Sequence, residues 1–115
     1  YAPVIGIFER QSEAGESLTL VGDGSQRRDF INVEDVARAN YIAATVSLEN
    51  NLGEVFNIGS GKNYSIKEIA DAISSNQVYI PMRDGEMDTT LADINKAKTI
   101  LGWYPEIDVI EWIKK

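Results

Sequence analysis

Residues 22–35, Gly-Asp-Gly-Ser-Gln-Arg-Arg-Asp-Phe-Ile-Asn-Val-Glu-Asp, constrain the fold more than any other stretch of this chain. Gly22 and Gly24 permit positive φ and close backbone approach, so the apolar run Leu18-Thr19-Leu20-Val21 before them reads as a short strand that ends in a tight turn. Arg27 and Arg28 leave that turn side by side. Phe30, Ile31 and Val33 then read as a second short, buried strand. Glu34 and Asp35 put acidic charge where a helix N-terminus favours it. An arginine held between a glycine turn and a buried strand offers a rigid fork of donors suited to a phosphate or a carboxylate. Two readings of the pair stand: contact with a ligand, or ion pairs with the chain's own carboxylates.

Composition removes whole classes of chemistry. The 115 residues carry 18 acidic and 11 basic side chains, a net charge of −7, and neither Cys nor His. Disulfides, thiolate nucleophiles, imidazole bases and Cys or His metal sites are therefore excluded. An acidic chain without a basic face or a nucleic-acid motif is not expected to bind nucleic acid. No run of 18 apolar residues and no secretory leader is visible, which leads to the expectation of a cytoplasmic domain with no membrane partner. The length suits one domain covering residues 1–115.

Along the chain, short strands alternate with longer helices, so the class is α/β. Val4, Ile5 and Phe8 predict a helix over about residues 3–14, with Pro3 in its first turn and Gly15 at its end. A helix over about residues 34–47 is expected to bury the stripe Val33, Ala37, Tyr41, Ala44 and Leu48. Glu54-Val-Phe-Asn-Ile58 reads as a strand closed by Gly59-Ser-Gly61. Ser65 and Glu68 form a capping box before Ile66, Ile69, Ala70 and Ile73. Residues 77–80 read as another strand, and residues 82–90 as a polar loop. Asp93 is placed to cap a helix carrying Ile94, Ala97, Ile100 and Leu101, with Gly102 as its stop, and Asp108 and Glu111 open a last helix. The tryptophans and tyrosines read as core rather than as cofactor stackers.

Candidate chemistry lies in three stretches. On the loop after residues 77–80, Arg83-Asp-Gly85-Glu86 pairs an arginine with a carboxylate; it reads either as a ligand loop, as is common in α/β proteins, or as a solvated surface ion pair. Gly59-Ser-Gly61 has only part of a dinucleotide-binding glycine pattern, because Tyr64 stands where a third glycine would open the next helix. The turn before Arg28 is the third. No tyrosine is followed four residues later by lysine, and no nucleophile elbow or P-loop is present. No catalytic residue and no metal ligand is assigned.

Spaced motifs in order carry a resemblance. Gly22-Asp-Gly-x-x-x-Arg28-Asp29-Phe30-Ile-x-Val33-x-Asp35-Val36 is similar to the C-terminal half of the NAD-dependent nucleotide-sugar epimerases and dehydratases, the extended short-chain dehydrogenase/reductase enzymes of which UDP-glucose 4-epimerases are the familiar branch. Glu54-Val-Phe-Asn57-Ile-Gly59-Ser-Gly61, Arg83-x-Gly85-Glu86-x-x-x-Thr90-x-Ala92-Asp93, Lys96-Ala97, Leu101-Gly102-Trp103 and Pro105 continue the match in register. The resemblance implies a small C-terminal substrate-binding domain with three to four short strands and about five helices, the Rossmann domain lying outside these residues. It implies that Arg28 and Arg83 contact a substrate diphosphate, that Glu86 binds the ribose, and that the backbone of Thr19, Leu20 and Val21 runs along uracil. Arg27 falls on a variable family position and reads as a surface residue; Asp29 and Asn57 read as structural.

The family's NAD loop and its Tyr-x-x-x-Lys pair are not in these residues. The resemblance thus implies a UDP-sugar-binding half that binds no NAD by itself, is inactive alone, and relies on a Rossmann domain in cis or in trans for the NAD chemistry of a 4-epimerase. Dehydratase or decarboxylase chemistry, a non-catalytic nucleotide-sugar-binding module, and an interaction remnant with a face left to self-associate are the alternatives.

Overall fold

A computed structural model describes residues 3–46, 53–82 and 88–115. The backbone falls into two units, Tyr1–Arg28 with Tyr64–Thr90 and Ile113–Lys115, and Asp29–Asn63 with Leu91–Trp112. Among the described residues, short strands and five helical segments follow one another, in keeping with the expected α/β class.

In the first unit, Pro3 fixes the entry of α1 (Val4–Glu13), and Gly15 at φ 74° takes the chain out of it. β1 (Leu18–Val21) pairs in parallel with β4 (Gln77–Ile80), Leu18 opposite Gln77 and Val21 opposite Ile80. Leu18 and Leu20 alternate inward and are fully buried, as are Phe8 of α1 and Ile69 and Ala70 of α3 (Ile66–Ile73). α1 and α3 both pack on β1 and on each other. Burying each of these large apolar side chains contributes roughly 1.5–3 kcal/mol. Ser65 caps α3 as expected: its hydroxyl accepts from Glu68 N–H at 3.0 Å, and Glu68 accepts from Ser65 N–H at 3.2 Å. β2 (Arg27–Arg28) pairs antiparallel with β3 (Tyr64–Ser65), Arg28 opposite Tyr64.

In the second unit, α2 (Val33–Thr45) and a π-helical turn (Ala97–Leu101) enclose a core of Ala39, Ile94, Ala97, Leu101 and Trp103. Gly102, left-handed at φ 69°, stops the π turn, as its position predicts. Asp108 caps α4 (Val109–Ile113) by accepting from Ile110 and Glu111 N–H.

Four sequence expectations are corrected. Of the aromatic side chains expected in the core, Trp103 is buried, but Tyr41, Tyr79, Tyr104 and Trp112 are exposed. The strand expected at residues 30–33 does not form; β2 lies at Arg27–Arg28, and the Asn32 carboxamide accepts from Glu34 N–H at 2.8 Å, so the helix already begins at Val33. The stripe Val33, Ala37, Tyr41 and Ala44 is exposed, with Val33 at 77% and Tyr41 at 69%. The buried face of α2 is instead Asp35 and Ala39, with Ile42 and Ala43 packed at the core edge; Leu48 lies outside the described residues. Residues 54–58 keep the inward–outward alternation of a strand, with Phe56 and Ile58 against the core and Val55 exposed. No neighbouring strand is present among the described residues, so no ladder forms there.

Candidate functional site

The feature in the first unit that offers itself to a ligand is the outer edge of β1. Leu18 N–H donates to Asn76 C=O and Gly22 N–H to Ile80 C=O, both at 2.8 Å. Residues 18, 20 and 22 therefore face β4, and Thr19 and Val21 direct their N–H and C=O groups to the opposite edge. Two of those four groups are taken. Gln11 of α1 accepts from Thr19 N–H at 3.1 Å and donates to the Thr19 hydroxyl at 3.0 Å. Gln26 Nε2 donates to Val21 C=O at 3.0 Å, which also accepts from Gly24 N–H at 3.3 Å. Thr19 C=O and Val21 N–H, an adjacent acceptor and donor, take no partner among the described residues. Leu20, between them, turns its side chain into the core.

The turn that follows is shaped by its contacts. Gly24 sits at φ 75°, and a Cβ there would lie 2.9 Å from Leu20 Cδ2 and 3.3 Å from Lys67 Cβ. Its carbonyl accepts from Lys67 N–H and that of Gln26 from Ile66 N–H, both at 2.9 Å. The first amides of α3 are thus spent on this turn, which anchors the strand that carries the arginines. Arg28 is half-buried, and its Nη1 donates to Arg27 C=O at 2.9 Å. Arg27 lies 3.5 Å from Glu68, a half-exposed ion pair that matches its reading as a surface residue.

Arg83 and Glu86 lie outside the described residues, but the flanks of their loop do not. Ile80 pairs with Val21; Arg27 N–H donates to Asp88 C=O at 2.7 Å, and Thr90 N–H to Arg27 C=O at 3.0 Å. The flanks of residues 83–87 therefore lie at the end of β1's partner strand on one side and alongside β2 on the other. Of the six expected site residues, Thr19, Leu20, Val21 and Arg28 fall within this one unit. Gln11 and Gln26 were not anticipated. Their bonds to β1 reach five and eight residues along the chain, but no sequence pattern announces them.

In the second unit, polar groups close on one another. The Asp29 carboxylate accepts from Ser60 N–H at 2.8 Å, the Ser60 hydroxyl at 2.6 Å, and Gly61 and Ala92 N–H at 3.1 Å each. A Cβ on Gly59 would meet Ala92 Cβ at 2.6 Å and Asp29 Oδ2 at 3.0 Å. Gly59–Gly61 does not fit the pyrophosphate of NAD, because its amides are used and the space against its first glycine is filled. Among the described residues there is no cluster of three acidic side chains able to hold a metal, and no helix is long and apolar enough to cross a membrane.

Residues 2–59 match the profile of the NAD dependent epimerase/dehydratase family. A Methanocaldococcus jannaschii protein provisionally named UDP-glucose 4-epimerase is 41% identical over 99% of this chain and 37% of its own length. The Thermotoga maritima UDP-glucose 4-epimerase, crystallised with UDP-glucose, superposes with a TM-score of 0.86 at 34% identity, over 98% of this chain and 37% of that one. The Bacillus cereus UDP-glucuronic acid 4-epimerase, in complex with UDP-glucuronic acid and NAD, does so with a TM-score of 0.88 at 30% identity, over 97% of this chain and 37% of that one. The chain thus spans little more than a third of these relatives.

Proposed function

We infer the role of this chain from a premise that the comparisons establish, that it belongs to the NAD dependent epimerase/dehydratase family: it holds the UDP moiety of a nucleotide sugar, as the C-terminal substrate half of a 4-epimerase. The observation that carries this reading is the unspent acceptor–donor pair on the outer edge of β1. Thr19 C=O is suited to accept the imide N–H of uracil, and Val21 N–H to donate to the carbonyl beside it. Arg28, in β2 after the glycine turn, and Arg83, in the segment between β4 and Asp88, would neutralise the diphosphate. Glu86 in that segment would accept from ribose hydroxyls. Each charge-assisted contact of this kind is worth about 1.5–3 kcal/mol.

Such binding is remote from the reacting carbon, and in a whole enzyme it serves to orient the sugar for reaction. NAD supplies hydride acceptance and return in this family. The family's NAD loop and Tyr-x-x-x-Lys pair are not in these residues, so cofactor and acid/base groups would come from a Rossmann domain in cis or in trans. The relatives above are 4-epimerases, which favours that reaction over dehydration or decarboxylation.

Titration of the chain with UDP, followed by calorimetry and by amide NMR, tests the reading. Saturable binding that moves the Val21 amide is expected, weakened by at least about tenfold in Arg28→Ala and in Arg83→Ala. No saturation at millimolar UDP, or binding indifferent to both arginines, would overturn it.

A further inference from the structure

We propose that Gln11 and Gln26 are positioning residues that trim the outer edge of β1 to the length of one base edge, a role that rests on the UDP-binding reading above. Uncapped, that edge would present Thr19 N–H, Thr19 C=O, Val21 N–H and Val21 C=O in a row. A row of four alternating donors and acceptors is as good a template for an added strand as for a ligand. Gln11 closes one end, engaging Thr19 twice, through N–H at 3.1 Å and hydroxyl at 3.0 Å. Gln26 closes the other end at Val21 C=O, at 3.0 Å. What is left is the central acceptor–donor pair.

Gln26 is a costly choice if it only fills space. The residue is 4% exposed, and its Oε1 is buried without a hydrogen-bond partner among the described residues. Turning the amide over would set that oxygen against Val21 C=O, so Nε2 has to face the strand. An apolar side chain of similar size would remove the unsatisfied oxygen and leave Val21 C=O its bond from Gly24 N–H. The one thing Gln26 does that such a side chain cannot is hold Val21 from the side. Gln11 does the same for Thr19 from α1. The two carboxamides therefore fix the direction of the two groups left for the base.

The test separates the base from the phosphates. Gln26→Met and Gln11→Met are titrated with UDP and with inorganic pyrophosphate, with thermal unfolding measured on each. Weakening of UDP binding by about tenfold, with pyrophosphate binding within about twofold of the parent, is expected for Gln26→Met, and a smaller loss of the same kind for Gln11→Met. Gln11 is only half-buried and carries the test should Gln26→Met fail to fold. UDP and pyrophosphate affinities that fall together, or UDP affinity that does not change, would overturn the proposal while leaving UDP binding intact. A parent chain that binds no UDP would overturn the reading beneath it, and this proposal with it.

Discussion

The two units of this chain spend their polar groups in opposite ways. In the unit that contains α2, two carboxylates are saturated by their neighbours. Asp29 gathers Ser60, Gly61 and Ala92. Asp35, 1% exposed, accepts from Glu106 N–H at 3.1 Å, Ile107 N–H at 3.0 Å and Arg38 Nη2 at 2.8 Å, while its own carbonyl takes the Trp103 indole N–H at 3.0 Å. In the unit that contains β1, the strand edge is only half spent, and the arginine strand next to it is fixed by backbone bonds. The difference separates architecture from recognition. An acidic residue whose oxygens are all taken holds loops in place; backbone groups that a fold leaves open are available to something else.

The largest test of that distinction is Asp35→Ala. It leaves two loop amides without their acceptor and takes the carboxylate from Arg38, which keeps the Tyr104 carbonyl, and it should cost about 3 kcal/mol in urea unfolding followed by tryptophan fluorescence. UDP contacts proposed on β1 involve none of these groups. A loss below about 1 kcal/mol would mean that saturation by neighbours is a poor marker of a structural role.

This asymmetry was only partly legible in the sequence. Local rules read well wherever a side chain bonds its own backbone neighbourhood: the Ser65–Glu68 capping box, the Gly102 stop and the Asp108 cap each stand where spacing put them. They failed where the partner is distant. The apolar stripe Val33, Ala37, Tyr41, Ala44 has helical spacing, yet the face that turns inward is centred on a charged residue, because Asp35 serves loop amides some seventy positions away. Periodicity counts apolar residues and is blind to a carboxylate used as a core anchor. The strand edge is a mixed case. The family resemblance implies a role for the backbone of Thr19–Val21, but nothing in the sequence shows that Gln11 and Gln26 take two of its four outer groups.

A middle-sized test compares two glycines of nearly the same positive φ. Gly15 at φ 74° has nothing within 4 Å of a built Cβ, whereas Gly24 at φ 75° would press Leu20 and Lys67. Gly15→Ala should cost about 1 kcal/mol from φ alone. Gly24→Ala adds a clash against a buried leucine, and about 2–3 kcal/mol is expected, with UDP affinity falling as the turn before Arg28 shifts. Equal costs, read from urea midpoints, would show that the turn gives way freely and does not hold the arginine strand.

The smallest effect concerns an exposed carboxylate of the first unit, and it sharpens the contrast with Asp35. On α3, Asp71 Oδ1 accepts from Gln77 Nε2 at 2.8 Å and lies 3.1 Å from Lys67 Nζ. The Gln77 hydrogen bond first, and the Lys67 ammonium second, hold Asp71 below its ordinary value of 3.8. A carboxyl held lower in the folded state than in the unfolded one favours folding above that ordinary value. Its contribution drains away as pH falls through 3.8 towards the folded value. Asp71→Asn should therefore flatten the acid limb of the stability curve, measured as urea midpoints from about pH 6 down to about pH 3. The side chains are 43% and 55% exposed, so solvent and salt screen the pair and the change should be slight beside that of Asp35→Ala. An acid limb as steep in Asp71→Asn as in the parent would assign the pH dependence to other carboxylates, with Asp71 as no more than a solvated surface charge.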